Sequence, residues 1–187
     1  AIGIFQIESA GMKQMVMSMK ASVFEDISAV LALYRPGPIE AKYPELFVNR
    51  KLGKEPITYE HPLLEPILKD TYGTMVYQEQ IIEFLHSFCG YTMGEADVVR
   101  RGFAKKTGTE KFIPKIKEGF QKTMLEKYNV PFEESDKIIV NFIQVIEDAS
   151  SYLFSKNHAD PYSWIGYICG YLRYYYPLEF ITTALNI

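Results

Sequence analysis

Residues 94 to 106 read GEADVVRRGFAKK, and four cations, Arg100, Arg101, Lys105 and Lys106, fall within seven positions there. A planar guanidinium chelates paired oxygens, and an ammonium adds a compact point charge. Such a cluster suits a polyphosphate. Diffuse contact with a nucleic-acid backbone suits the same residues, and so does a solvated helix face. Wound as a helix over 93–106, Arg101 and Lys105 share a face one turn apart, with Arg100 beside them. Lys106 then lies roughly a hundred degrees round from Lys105. Asp97, one turn before Arg101, is placed to hold its guanidinium. Gly102 costs a helix about 1 kcal/mol relative to Ala, and it opens clearance at the centre of the patch for a bulky ligand.

Other stretches carry chemistry less specifically. FSKNHADPYSWIGY offers Lys156, His158 and Tyr162. Donors beside aromatic faces suit a nucleotide, with charge for phosphate and a ring for base or sugar. The competing reading is a loop whose His caps a helix and whose Tyr162 and Trp164 pack in the core. Arg35 sits at the mouth of the RPGP turn, Gln78 opens VYQEQ at a helix start, and Lys13 flanks a methionine stripe. Lys111, Lys115, Lys117 and Lys122 follow on a cationic helix that would track a nucleic-acid backbone. No acidic pair of the two-metal kind is evident, nor a nucleophile with an adjacent base, nor a Walker loop. The chain reads as equipped to bind anions and not to perform chemistry by itself.

These residues must be positioned by helices. GMKQMVMSMK winds with Met12, Val16 and Met19 on one side. SVFEDISAVLALY is a second helix, with Ser22 as N-cap and Glu25 three residues on as a capping box. RPGP forces an extended turn. Short helices and loops rich in Pro and Gly fill the stretch to Tyr72. From Gln78, the spacing of Ile81, Ile82, Leu85, Phe88 and Cys89 marks one helical face, closed by Gly90. Thr92 and Glu95 form another capping box. Phe112, Ile116, Phe120 and Met124 stripe the cationic helix, and Pro114 places its start near Ile113. Ile138, Ile139, Phe142, Val145 and Ile146 stripe the next. Two final helices separate at Tyr176-Pro177. The expected fold is mainly α: a single multi-helix domain over residues 1–187, with long Pro/Gly-rich loops and little strand.

The 187 residues are 48% hydrophobic, enough for a sizeable core. No apolar run is long enough to span a bilayer. The net charge of −3 hides a polarity. Nine cations against three acids between Arg100 and Lys127 make that segment +6 and leave −9 elsewhere. Cys89 and Cys169 are expected to be reduced and buried, in an intracellular protein. The first residues lack signal-peptide features and an initiator Met, so the chain reads as a segment of something longer.

GIFQIESAGMK, FEDISAVLALYRPGP, HPLLEPILKDTYGTMVYQEQI, GYTMGEADVVRRGFAKK and FSKNHADPYSWIGYICGYLRYYYPLEF, in this order, resemble the fingers region of the bacterial DNA polymerase III alpha subunits, the C-family replicative polymerases. The resemblance runs from about Gly3 to the C-terminus. It implies that this segment binds an incoming deoxynucleoside triphosphate and template–primer DNA for nucleotidyl transfer. Its other implied partners are the remaining polymerase domains and replisome subunits such as the sliding clamp, in the cytoplasm at the nucleoid. It further implies that the magnesium ions of the full-length enzyme are held by palm carboxylates outside this chain, leaving the fragment alone inactive. By position, Arg100 and Arg101 match the family's triphosphate-contacting arginines, and Lys105 and Lys106 its following lysines. Lys13, Arg35 and Gln78 match residues of their own motifs, as do Lys156, His158 and Tyr162. Asn157, Asp160-Pro161 and RRGFAKK depart from the usual pattern, although the charges persist.

Overall fold

The computed structural model describes residues 3–186, which form eleven α-helices and no strand. In chain order these are α1 (Ala10–Met19), α2 (Phe24–Leu33), α3 (Pro36–Glu40), α4 (Tyr43–Lys51), α5 (Glu65–Leu68), α6 (Gln78–Cys89), α7 (Met93–Lys105), α8 (Thr109–Tyr128), α9 (Phe132–Ala149), α10 (Lys156–Tyr175) and α11 (Pro177–Leu185). Two further turns, Pro62–Leu64 and Lys69–Thr71, are 3₁₀. The mainly helical fold expected from periodicity is what forms. The helices gather into two compact units, one made of the residues up to Lys54 with those from Phe154 onward, the other of Glu55–Leu153. The first unit draws on both ends of the sequence, so no linker composition announces this division.

In the first unit, α1 buries Met12, Met15 and Met19. Met15 takes the core position expected for Val16, which is half-buried. Ser9 caps α1 by accepting the Met12 N–H at 3.2 Å. The cap of α2 is neither Ser22 nor Glu25. The Asp26 carboxylate turns back to accept the N–H groups of Ser22 at 2.7 Å and Val23 at 3.1 Å, and it meets Lys51 Nζ at 3.0 Å. Asp26 is buried and Glu25 is not, so the partly buried carboxylate site selects the former. RPGP also departs from expectation. Arg35 is extended, as a residue before proline must be, but Pro36 then opens the short helix α3, where a missing N–H costs nothing. Small residues let α2 lie close on α10: Ser28 donates to Ser163 Oγ at 3.2 Å, and Ser163 donates back to the Ala159 carbonyl at 2.8 Å. The Phe5 carbonyl lies 3.0 Å from where a Cβ on Gly166 would stand.

The second unit packs α6 against α7 and α8, and α8 against α9. Phe84 is its hub, with ring centroids 4.4 Å from Phe142 and 5.8 Å from Phe120. A Cβ on Gly119 would fall on the carbonyl oxygen of Cys89, so glycine is what lets α8 cross the end of α6. Gly90 ends α6 at φ 74°, as expected. Thr92 and Glu95 form the expected capping box of α7: Thr92 N donates to Glu95 Oε2 at 2.9 Å, and Glu95 N donates to Thr92 Oγ1 at 3.3 Å. Pro114 does not mark the start of α8. Gly108, at φ 69°, starts the helix at Thr109, and Pro114 lies inside it. On α9, Ile143 is buried where Val145 is only half-buried. Gln80 is wholly structural: its Oε1 accepts from Val76 and Tyr77 N, and its Nε2 donates to the Ile67 carbonyl and Thr71 Oγ1. Cys89 and Cys169 are both free thiols, Cys89 buried but Cys169 only half-buried.

Candidate functional site

The capping box fixes where α7 begins, and Ala96, Val99 and Phe103 fix which face it buries. The rotation of every cation follows. Asp97 lies one turn before both arginines. Its Oδ1 accepts from Arg100 Nε at 2.9 Å and Nη2 at 2.8 Å, while its Oδ2 lies 2.7 Å from Arg101 Nη2. The Arg100 side chain is 14% exposed and that of Arg101 58%. Lys105 is exposed on the last turn of the helix. Lys106 leaves the helical register at φ 51°, where Gly102 and Phe103 carbonyls accept its N–H. It lines a cleft of about 290 Å³ with Phe103, Thr109, Gln144, Glu147 and Asp148. The expected helical angle between Lys105 and Lys106 therefore does not exist.

Gly102 also differs from expectation. A Cβ there would meet the Phe112 ring at 2.8 Å. The clearance at this glycine is filled by the protein's own α8 and is not open to a ligand.

Of the four α8 lysines singled out in the sequence, two are engaged within this unit. Lys115 lies 4.6 Å from the centroid of the Tyr91 ring and 3.6 Å from Glu95 Oε1. Lys117 lies 3.9 Å from Asp136. Lys111 and Lys122 are exposed. Glu95 is held below the usual carboxylate range by the Thr92 backbone and hydroxyl hydrogen bonds, with Lys115 adding to the effect. Burial, with Cys89 and Glu95 nearby, pushes the Tyr91 phenol up to about 12, and its hydroxyl has no hydrogen-bond partner among the described residues. Gln78 Nε2 donates to the Leu153 carbonyl at 3.3 Å.

The first unit gathers a separate set. The Arg35 guanidinium lies 4.6 Å over the Phe154 ring, and its Nε donates to the Ala32 carbonyl at 2.9 Å. Burial lowers the Arg35 pKa from its ordinary value. Phe154 meets His158 edge-on at 5.5 Å, His158 lies 4.3 Å from Tyr162, and Tyr162 stacks on Phe5 at 5.3 Å. Lys156 is the first residue of α10, with Ser155 as its N-cap, so Lys156, His158 and Tyr162 ride on one helix and not on a loop. Pro161 lies inside that helix. Lys13 is half-buried on α1. Phe5 and Phe154, which join Arg35, His158 and Tyr162 into one ladder, belong to segments singled out in the sequence, but only packing shows their part.

Residues 1–128 match the family model described as the bacterial DNA polymerase III alpha subunit finger domain. The DNA polymerase III subunit alpha of Aquifex aeolicus is 40% identical over 184 residues, covering 98% of this chain and 15% of that protein. The subunit of Chlamydia muridarum is 41% identical over 185 residues, covering 99% and 14%. That of Thermus aquaticus is 39% identical over 190 residues, covering 99% and 15%. The chain belongs to the DNA polymerase III alpha subunit family. It spans about 15% of the length of these relatives, and its residues 1–128 carry the finger-domain match. Arg100, Arg101, Lys105, Lys106, Lys13, Arg35 and Gln78 fall inside the finger-domain match, whereas Lys156, His158 and Tyr162 lie beyond it. Among the described residues no group of three His, Cys, Asp or Glu could hold a metal ion. Asp97, the carboxylate nearest the arginines, is committed to them. Nor is any helix among them long and apolar enough to cross a membrane.

Proposed function

We propose that this chain is the part of a DNA-templated DNA polymerase that receives the incoming deoxynucleoside triphosphate against template–primer DNA. The observation that carries the reading is the arginine pair of α7, fixed by one carboxylate and followed by Lys105 on an exposed turn. Guanidinium groups held in advance neutralise phosphate charge without reorganising during transfer, and they stabilise charge building on the departing pyrophosphate. Lys105 adds charge to the same face, and Lys106 serves from the adjoining cleft. Gln78 of the second unit, and separately Lys13, Arg35, Lys156, His158 and Tyr162 of the first, are further candidates for nucleotide contact, the aromatic ladder offering ring faces to base or sugar. Magnesium ions supply Lewis acidity to phosphoryl transfer. On this reading the carboxylates for them belong to the palm, outside this chain. The same reading has the fragment alone inactive, and the whole protein working in the bacterial cytoplasm at the nucleoid with the sliding clamp.

The test is Arg101→Ala in the full-length polymerase. We expect KM for the nucleotide to rise roughly ten- to a hundredfold, as for a charge-assisted hydrogen bond lost on binding. Unchanged KM and turnover would remove the triphosphate role. A helical module that binds only nucleic-acid backbone would instead show steep salt dependence on duplex DNA with no effect of nucleotide. The engagement of Lys115 and Lys117 within their own unit weighs against that outcome.

A further inference from the structure

The two arginines of α7 are adjacent in sequence but not equivalent in space. Arg100 directs both Nε and Nη2 to a single oxygen of Asp97, and its side chain is 14% exposed. Arg101 touches the other Asp97 oxygen through Nη2 alone and is 58% exposed. A guanidinium has five N–H donors in two forked edges. The Nε edge of Arg100 is occupied by Asp97, whereas Arg101 meets that carboxylate at one nitrogen and is the more exposed of the two.

Helix geometry explains the arrangement. Asp97 is three residues before Arg100 and four before Arg101, the two spacings at which side chains meet on a helix. One carboxylate therefore screens two neighbouring cations that would otherwise repel, and it meets Arg101 at Nη2 alone.

We propose that Asp97 and Arg100 form a brace that presents Arg101 as the principal anion contact of the pair, making Asp97 a positioning residue. This rests on the nucleotide-binding reading above. It divides labour between two arginines that sequence alone treats as a matched pair. A long side chain loses substantial rotamer freedom when it grips a ligand, and a brace removes part of that loss beforehand.

The experiment is a double-mutant cycle in the full-length polymerase, read as KM and kcat for nucleotide in single-nucleotide incorporation on primed DNA. Arg101→Lys is expected to raise KM roughly tenfold or more, and Arg100→Lys by a clearly smaller factor of about three. Asp97→Asn is expected to raise KM about fivefold in the wild-type background, but less than about twofold when combined with Arg101→Lys, because its effect travels through Arg101. A merely structural Asp97 would cost the same in both backgrounds, and that result overturns the proposal. So does an Arg100→Lys effect as large as that of Arg101→Lys. If neither arginine variant changes KM or kcat, the nucleotide reading itself fails and the brace with it. Thermal melts of each variant accompany the assay. Should Asp97→Asn fail to fold, Asp97→Glu, which keeps the charge but moves it outward by one methylene, takes its place in the cycle with the same criterion.

Discussion

Gly102 and Tyr91 show how a single residue's role depends on what stands opposite it. Seen as sequence, Gly102 is an opening at the centre of a cationic patch; in the structure Phe112 closes it. Gly102→Ala is expected to destabilise the chain by about 1–3 kcal/mol through overpacking, and Phe112→Leu in the same chain should restore most of the loss in denaturant titrations. Tyr91 is buried with an unpartnered hydroxyl under the Lys115 ammonium. Tyr91→Phe keeps the ring beneath the cation and removes the stranded donor, so stability at neutral pH should hold or rise by up to about 1 kcal/mol. The folded phenol is raised to about 12, above the ordinary value of roughly 10 for an unfolded chain. Between these values the unfolded chain releases a proton that the folded one keeps. Stability from this group is therefore complete below pH ~10 and declines as pH rises towards ~12. Chemical denaturation of Tyr91→Phe across that window should show a shallower decline than wild type.

At the scale of elements, caps and crossings decide where helices begin and how closely they pack. The N-terminus of α2 depends on Asp26, which joins two backbone N–H groups to Lys51 of α4. Asp26→Ala removes the cap and strips a buried ammonium of its carboxylate. A loss of order 3 kcal/mol is expected in urea titrations, against a few tenths for Glu25→Ala on the exposed side. Gly119 marks the crossing of α8 over the end of α6, while Gly94 in the first turn of α7 has nothing within 4 Å of an added Cβ. Gly119→Ala should therefore cost about 1–3 kcal/mol, whereas Gly94→Ala should be neutral or stabilising by up to about 1 kcal/mol. The sequence revealed helices far better than it revealed caps. The stripes of α6, α8 and α9 recur at helical spacing and nearly all of them are buried. Ser22 and Glu25 have the right types and spacing for a cap, but burial favours Asp26, which no local pattern distinguishes. Pro114 has a first-turn preference that Gly108 overrides, because a left-handed residue there sets the helix start at Thr109, ahead of Ile113.

For the molecule as a whole, the two units differ in how well they cover their apolar surface. The second encloses a continuous aromatic core. In the first, α11 buries none of its residues, and Leu178 and Leu185 are 78% and 80% exposed. Trp164, Tyr167, Tyr171, Tyr174 and Tyr175 on α10 are exposed as well. Exposed apolar side chains in this number favour association in water. The isolated 187-residue chain should therefore self-associate at micromolar concentration, and Leu178→Glu with Leu185→Lys should shift it towards monomer in sedimentation velocity runs. An unchanged distribution would show that these leucines do not drive it.

By itself, the sequence determined the helical class, most of the buried stripes, the capping box of α7 and the family, because each is written in local spacing or in long motifs of fixed order. It also placed Asp97 within reach of Arg101, since i,i+4 contacts are set by helical pitch alone. Only the tertiary structure decided that Phe112 occupies the space at Gly102 and that Lys115 and Lys117 are partly engaged. It alone brought Phe5 and Phe154 to join Arg35, His158 and Tyr162. Those outcomes depend on contacts between residues far apart in the chain, whose geometry is fixed only when helices pack and burial chooses among side chains that local sequence treats alike.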